Sequence, residues 1–197
     1  MRLLLASKSS TRREMLARAG VPFDTAEASL DEEAAKAGLS GAGFDARGIA
    51  EELAQLKAIS VTGVAGDLVL GSDQTLELPD GTMLSKPRSR DDAKTQLRAL
   101  AGTTHRLHSA AVIAEAGVAA WWCCETVELS MRPLSEAFLE AYLDREYEHI
   151  RWSVGGYRVE GPGAQLFDRI EGSHFAVLGM PLLPLLAQLR ERGYLAR

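Results

Sequence analysis

Four polar groups interrupt apolar runs in this chain, and each has a side-chain type suited to chemistry. Ser7-Lys8-Ser9-Ser10-Thr11-Arg12-Arg13 follows Leu3-Leu4-Leu5-Ala6 and opens a helix. A helix N-terminus attracts anions, and Arg12 and Arg13 can add charge-assisted bonds to phosphate oxygens. The plainer reading is N-capping with solvated arginines. Lys57 lies four residues after Leu53 and four before Val61, so it shares a helical face with apolar residues. Most such lysines snorkel along a surface. Asp73, with Gln74, follows Leu68-Val69-Leu70 and Gly71-Ser72. That places a carboxylate at the carboxyl end of a buried strand, where open α/β sheets bind ligands; a turn or capping aspartate is the structural alternative. Last, Ser85-Lys86-Pro87 sets a lysine beside a stiffening proline. Lys8 and Arg18 read as surface charges.

Other chemistries find little support. The histidines at 105, 108, 149 and 174 are scattered, and with no H-x-x-x-H or Cys/His grouping a zinc site is not expected. P-loop, G-x-G-x-x-G and G-x-S-x-G patterns are absent, which removes kinase-like, dinucleotide and serine-hydrolase readings. A net charge of -5 argues against a protein that coats nucleic acid, and Trp121-Trp122 stands apart from the basic clusters. The cysteines are the adjacent pair Cys123 and Cys124, which in a strand point to opposite faces. Such usage fits a reducing compartment. The apolar start is too short for a signal peptide's core or a membrane span, so a cytoplasmic protein without membrane association is expected.

The elements that must hold these groups read as one mixed α/β domain over 1–197; at 46% hydrophobic and 25% charged the chain can bury a substantial core. A buried strand at Leu3–Leu5 precedes a helix with a Thr11/Glu14 capping box, ended by Gly20. Residues 24–44 show little periodicity and read as a long, partly mobile loop. A helix from about Ala46 to Val61 carries Ile49, Leu53 and Leu56 on one face. After the Leu68–Leu70 strand, Pro79-Asp80-Gly81 turns a small hairpin back through Lys86-Pro87. A helix from about Asp91 to Leu100 follows, then two long strands, near 104–113 and 119–131, joined at Gly117. A helix near 136–146, a Gly-rich segment over 155–163 and a Leu-rich helix ending at Gly193 complete the chain.

In order and spacing these pieces resemble the Maf family of nucleoside triphosphate pyrophosphatases over nearly the whole chain. The matching motifs are Leu-Ala-Ser7-x-Ser9-x-x-Arg12-Arg13-Glu14, Lys57-Ala58, Gly71-Ser72-Asp73-Gln74 and Lys86-Pro87. They continue with Leu100-Ala101-Gly102-x-x-His105, Glu160-Gly161-x-Gly163-Ala164 and Ile170-Glu171-Gly172 through Gly179-x-Pro181-Leu182. The chain departs from the pattern at Ser10-Thr11, where Pro-Arg is frequent, and at Ser85, where a glycine usually precedes the lysine. Gln74 stands in place of the threonine of the pyrimidine-specific branch, and Glu160 in place of its glutamine. That pair looks more like the branch acting on 7-methyl-GTP, although Thr11 stands where that branch often has tryptophan.

The resemblance implies a mixed sheet flanked by helices, two lobes around a central nucleotide cleft, and often a homodimer. It implies cleavage of a nucleoside triphosphate between the α- and β-phosphates with a divalent cation, Mg²⁺ or Mn²⁺. In the family the residue matching Asp73 is taken as the catalytic base, and those matching Ser7, Arg12, Arg13, Lys57 and Lys86 line the phosphate site. Gln74 and Glu160 fall among the substrate-binding positions. A carboxylate from the loop after the first helix joins Asp73 at the metal; here Asp31 or Glu32 is the candidate, and Glu32 is assigned.

The physics agrees with such chemistry. A triphosphate repels an incoming nucleophile until its charge is neutralised, which oxygen-ligated divalent cations, arginines and lysines can do. A carboxylate can orient and deprotonate the attacking water. The competing expectation, also drawn from the family, is a nucleotide-sensing regulator linked to septum formation, with little turnover. Binding alone needs cations but no water-activating carboxylate, so Asp73 favours catalysis.

Overall fold

The computed structural model describes residues 1–61 and 66–196. The helices are α1 (Ser10–Arg18), α2 (Glu32–Gly41), α3 (Ala46–Ile59), α4 (Arg90–Leu100), α5 (Glu136–Ile150), α6 (His174–Val177) and α7 (Leu182–Glu191). The strands are β1 (Leu3–Ala6), β2 (Asp24–Thr25), β3 (Leu68–Glu77), β4 (Met83–Leu84), β5 (Thr104–Glu115), β6 (Val118–Met131) and β7 (Phe167–Glu171). They form a seven-stranded mixed open sheet in the order β2-β1-β3-β5-β6-β7, with β4 paired to β3. β1 runs parallel to β2 and β3, whereas β4 and β7 are antiparallel to their neighbours. The expected mixed α/β class is what forms.

Two compact units divide the chain. The first comprises Met1–Gln74, His108–Glu125 and Ser173–Arg197, and the second comprises Thr75–Leu107 and Thr126–Gly172. In the first, the side-chain alternation of a strand sorts the core into two layers. Leu3, Leu5, Leu68, Leu70, Ala111 and Ile113 face Met15 and Leu16 of α1 and Leu185 and Leu189 of α7. Leu4, Ala6, Val69, Ala110 and Val112 face Ala50, Ala54 and Ala58 of α3. The second layer is thin because it is lined largely with alanine, and α3 therefore lies close on the sheet. A Cβ on Gly71 would stand 2.1 Å from the Ala54 carbonyl oxygen and 2.6 Å from the Ala58 nitrogen, so only glycine fits.

In the second unit α4 lies beside α5, and their facing sides carry a ladder of ion pairs. Arg90 meets Glu140 and Asp144, Lys94 meets Glu136 and Glu140, and Arg98 meets Glu136. Tyr142 and Leu143 of α5 and Leu97 and Leu100 of α4 are buried. His105 is wholly buried, and its Nε2 lies 2.7 Å from the Tyr157 hydroxyl. The Gly-rich segment forms two short 3-10 turns, Val154–Gly156 and Pro162–Leu166.

Three local expectations need correction. Helix α1 is capped by Ser9, whose side chain accepts from the Arg12 N–H, and not by a Thr11 box; Glu14 instead pairs with Arg18 one turn on. Residues 24–44 are not one loop. Asp31 caps α2 by accepting from the Ala34 N–H, Glu32 and Glu33 complement the dipole of the first turn, and the following alanines favour helix. No residue of α2 is buried, which is why apolar periodicity did not reveal it. Finally, β3 does not stop at Leu70 but runs on through Asp73 to Glu77. Its parallel partner β1 ends with Ala6 opposite Gly71, so Ser72, Asp73 and Gln74 extend past the end of that pairing.

Candidate active site

Alternation along β3 sends Asp73 to the face opposite Ser72 and Gln74. On Asp73's side stands Lys57, in the last turn of α3. Its apolar neighbours bury it to 4% exposure, so it is not a snorkelling surface lysine. The Lys57 ammonium lies 3.5 Å from Asp73 Oδ2 and 3.0 Å from Glu32 Oε2. A buried ammonium without partners would be costly, and here two carboxylates compensate it. The same contact separates the two loop carboxylates: Asp31 is engaged as the cap of α2, and Glu32 reaches the site. Asp73 Oδ1 also accepts from the Gln74 N–H at 2.8 Å, so both carboxylate oxygens have partners.

Arg12 enters from α1 and is buried. Its Nε donates to the Gly179 carbonyl (2.8 Å), and Nη1 donates to the Ser72 carbonyl (2.9 Å) and Ser7 Oγ (3.2 Å). All three acceptors are neutral, and among the described residues Arg12 forms no ion pair. Burial pushes its pKa below the usual range, opposed by the fields of Asp73 and Glu32. Gly179 lies at φ +105°, a conformation that suits glycine and turns its carbonyl between Arg12 and the Ser72 hydroxyl, which donates to it at 3.2 Å. Ser7 Oγ accepts from the Ser9 N–H as well as from Arg12, and neither bond uses its own proton.

Thus Ser7, Arg12, Glu32, Lys57, Asp73 and Gln74 gather in the first unit. Arg13, the next residue round the helix, is solvent-exposed. Gln74 turns away from Asp73: its Nε2 faces Ser109 Oγ and the Ala176 and Val177 carbonyls at 2.9–3.1 Å. Lys86 and Glu160 belong to the second unit. Lys86 is exposed beside the buried Pro87. Glu160 is exposed too; the nearby Arg158 donates from Nη2 to Glu146 Oε2 at 3.1 Å, and among the described residues Glu160 forms no ion pair.

Two participants were not picked out from sequence. Ser109 is fully buried and donates to the Ala176 carbonyl at 2.6 Å; its only signal is a hydroxyl heading the apolar run Ala110–Ala114. Gly179 was recognised as motif, but that its carbonyl would receive Arg12 depends on contacts 167 residues apart in sequence.

Glu32 and Asp73 carry hard oxygen donors of the kind hard divalent cations take, and both face the Lys57 ammonium. Among the described residues no group of three or more His, Cys, Asp or Glu side chains could hold a metal. A pair of carboxylates is the set used where substrate phosphates and water complete the shell.

The fold and site define a mixed α/β protein with a buried arginine and a lysine-bridged carboxylate pair beyond the end of a parallel strand pairing. A family model described as "Maf-like protein" matches residues 2–192, and the chain belongs to this family. Among its relatives is a protein of Sphingopyxis alaskensis named "Nucleoside triphosphate pyrophosphatase", 47% identical over 98% of both chains. One of Caulobacter vibrioides with the same name is 47% identical over 97% of this chain and 96% of its own. A protein of Rhizobium etli named "7-methyl-GTP pyrophosphatase" is 46% identical over 98% of this chain and 96% of its own.

Proposed function

We propose that this chain is an enzyme, a nucleoside triphosphate pyrophosphatase that hydrolyses its substrate to a nucleoside monophosphate and pyrophosphate, with Asp73 as general base. Family membership and the names of relatives aligned over nearly their full lengths support the activity. The observation that carries the assignment of roles is the arrangement of Asp73, Lys57 and Glu32 beside the buried Arg12, whose acceptors among the described residues are all neutral. Here two carboxylates and two buried cations collect where the strand pairing ends.

Asp73 takes a proton from the attacking water, and its contacts with the Gln74 N–H and the Lys57 ammonium hold the carboxylate in one orientation for that transfer. As the α–β anhydride bond breaks, charge develops on the departing pyrophosphate. Arg12, held rigid by three acceptors, supplies a preorganised cation, and Lys57 and Arg13 add to it. Ser7 can donate its hydroxyl proton to a phosphate oxygen. For Lys86 and Glu160 the support is the family resemblance, Lys86 as a phosphate cation and Glu160 as a reader of the base.

Glu32 and Asp73 would hold the divalent cation, whose chemistry is to neutralise phosphate charge. The same reading takes the protein to be a cytoplasmic homodimer acting on nucleotides rather than nucleic acid. Cys123 and Cys124 are free thiols, which fits a reducing compartment, and among the described residues no helix is long and apolar enough to cross a membrane. Product chromatography of the purified protein with a nucleoside triphosphate, before and after chelation, tests the assignment. The expected products are monophosphate and pyrophosphate, lost with the metal and restored by Mg²⁺ or Mn²⁺. Release of orthophosphate, or full activity after chelation, would count against it.

A further inference from the structure

In the second unit two residues of α5, one turn apart, hold the segment that leads to Glu160. Tyr142 and Glu146 share a helix face, and both are buried. The Tyr142 hydroxyl donates to the Gly156 carbonyl at 3.4 Å. Glu146 Oε2 accepts from Arg158 Nη2 at 3.1 Å. Beyond Arg158 the chain turns back: the Gly161 N–H donates to the Arg158 carbonyl at 3.3 Å, with Glu160 inside the turn. Gly163 then returns onto the same backbone, since a Cβ there would stand 2.4 Å from the Arg158 carbonyl oxygen and 2.9 Å from its nitrogen. The Arg158 guanidinium lies along this turn, its Nη2 3.7 Å from where a Gly161 Cβ would be. The ion pair itself is poorly arranged for stability. Arg158 Nε is buried and, among the described residues, has no acceptor. A buried pair joined by one bond, with a donor left unmet, gains little over apolar residues of similar size. What it does fix is where Arg158 lies.

We infer that Glu146 is a positioning residue for Glu160: from α5 it fixes Arg158, around whose backbone the turn bearing Glu160 is folded. This deepens the proposed reading of Glu160 as the carboxylate that meets the base, and rests on it. Glu160 forms no ion pair among the described residues, so the backbone of the turn sets the direction of its side chain. A carboxylate can accept from two neighbouring guanine donors only when it is presented to both at once. Without Glu146 the Arg158 side chain is released and the turn loses its anchor on α5. Discrimination between guanine and uracil then falls, while the residues gathered around Asp73 keep their own contacts.

The test takes the ratio of kcat/KM for 7-methyl-GTP to that for UTP in Glu146→Leu/Arg158→Met, in Glu160→Gln and in the triple variant. Replacing both partners by apolar residues leaves no buried charge, so the double variant is expected to melt near the wild-type Tm. Its ratio falls about twofold or more, toward that of Glu160→Gln, with UTP hydrolysis within about twofold of wild type. The triple variant falls no further than Glu160→Gln alone, because both changes act through one carboxylate. A wild-type ratio in the double variant, where Glu160→Gln lowers it, overturns the inference, and so does a triple variant in which the losses multiply. If the double variant does not fold, Arg158→Lys decides, since it keeps the charge but loses the planar fork that reaches Glu146. A lowered ratio there supports the positioning role, and an unchanged one overturns it. Should Glu160→Gln itself leave the ratio unchanged, the base reading fails on its own account. Hydrogen exchange over residues 158–164 then decides the positioning: faster exchange in the variant that removes the Glu146–Arg158 bond supports it, and exchange as in wild type overturns it.

Discussion

The Lys57 ammonium lies 3.5 Å from Asp73 Oδ2, joining the last turn of α3 to the strand that carries the proposed base. That pairing follows from the thin, alanine-lined layer between α3 and the sheet. Were Ala54 or Ala58 larger, α3 would stand further off. Gly71 makes the same approach possible from the strand side. Packing of the smallest residues in the chain thus sets the distance between two charged ones.

Asp73→Asn should abolish turnover while leaving fold and nucleotide binding nearly intact. An amide can still accept the Gln74 N–H through its carbonyl oxygen, so the local geometry survives. It cannot take a proton from water, and loss of a general base typically costs about 10²–10⁴-fold. Steady-state kinetics and nucleotide calorimetry on the folded variant check this. Hydrolysis near the wild-type rate would remove Asp73 from the chemistry, and failure to recover soluble protein would point to a structural aspartate.

Gly71→Ala should destabilise the protein by about 2 kcal/mol or more, since the new methyl would meet backbone atoms that cannot swing aside. For a chain of this size a loss of about 2 kcal/mol matches a fall in Tm of roughly 4–8 °C. Gly38→Ala in α2 is the control: a Cβ there meets nothing within 4 Å, and alanine favours helix. Equal melting curves for the two variants would show that α3 does not bear on β3 as described.

What could be read in the sequence was whatever announces itself locally. β1, α3 and α4 carry strong apolar patterns and lie where expected, and Asp73, Lys57 and Arg12 stood out as polar residues set against apolar ones. Helix α2 escaped because its signals are a cap and a propensity, with no buried face to give a period. Which of Asp31 and Glu32 meets Lys57 was equally out of reach, since that depends on how α2 lies against α3 in space. Gln74 shows a further limit. Its position was marked by motif, but the carbonyls of Ala176 and Val177 that its amide nitrogen meets lie far along the chain.

Stability should fall as the pH drops through the window from 6.5 to about 4, because His105 is buried and its pKa is lowered from 6.5 to about 4 by loss of solvent. In that range the unfolded chain binds a proton that the folded chain does not, so acid favours unfolding. The loss is about 2 kcal/mol by pH 5 and about 3 kcal/mol when complete. His105→Gln keeps a group able to bond the Tyr157 hydroxyl yet does not titrate. Urea unfolding at pH 7 and pH 5 should therefore show a larger drop for wild type than for the variant. The same drop in both would rule out His105 as the source.

Glu160→Gln should shift base preference away from guanine nucleotides. Arg158 is engaged by Glu146, and among the described residues Glu160 forms no ion pair, so this exposed carboxylate has no structural bond to account for it. Guanine presents two neighbouring donors, N1–H and the N2 amino group, and an ionised carboxylate can accept from both. Methylation at N7 gives the purine a positive charge, which a carboxylate favours further. An amide would set one of its own donors against a guanine donor, and it matches instead the donor-next-to-acceptor edge of uracil. At an exposed carboxylate that mismatch is worth about twofold to fivefold, on the order of 0.5–1 kcal/mol. The measurement is kcat/KM for 7-methyl-GTP, GTP and UTP with wild type and variant. Selective loss with the two guanine nucleotides, and a relative gain with UTP, is the expected outcome. A proportional change across all three would mean that Glu160 does not read the base, and the preference would then have to be sought in side chains other than this one.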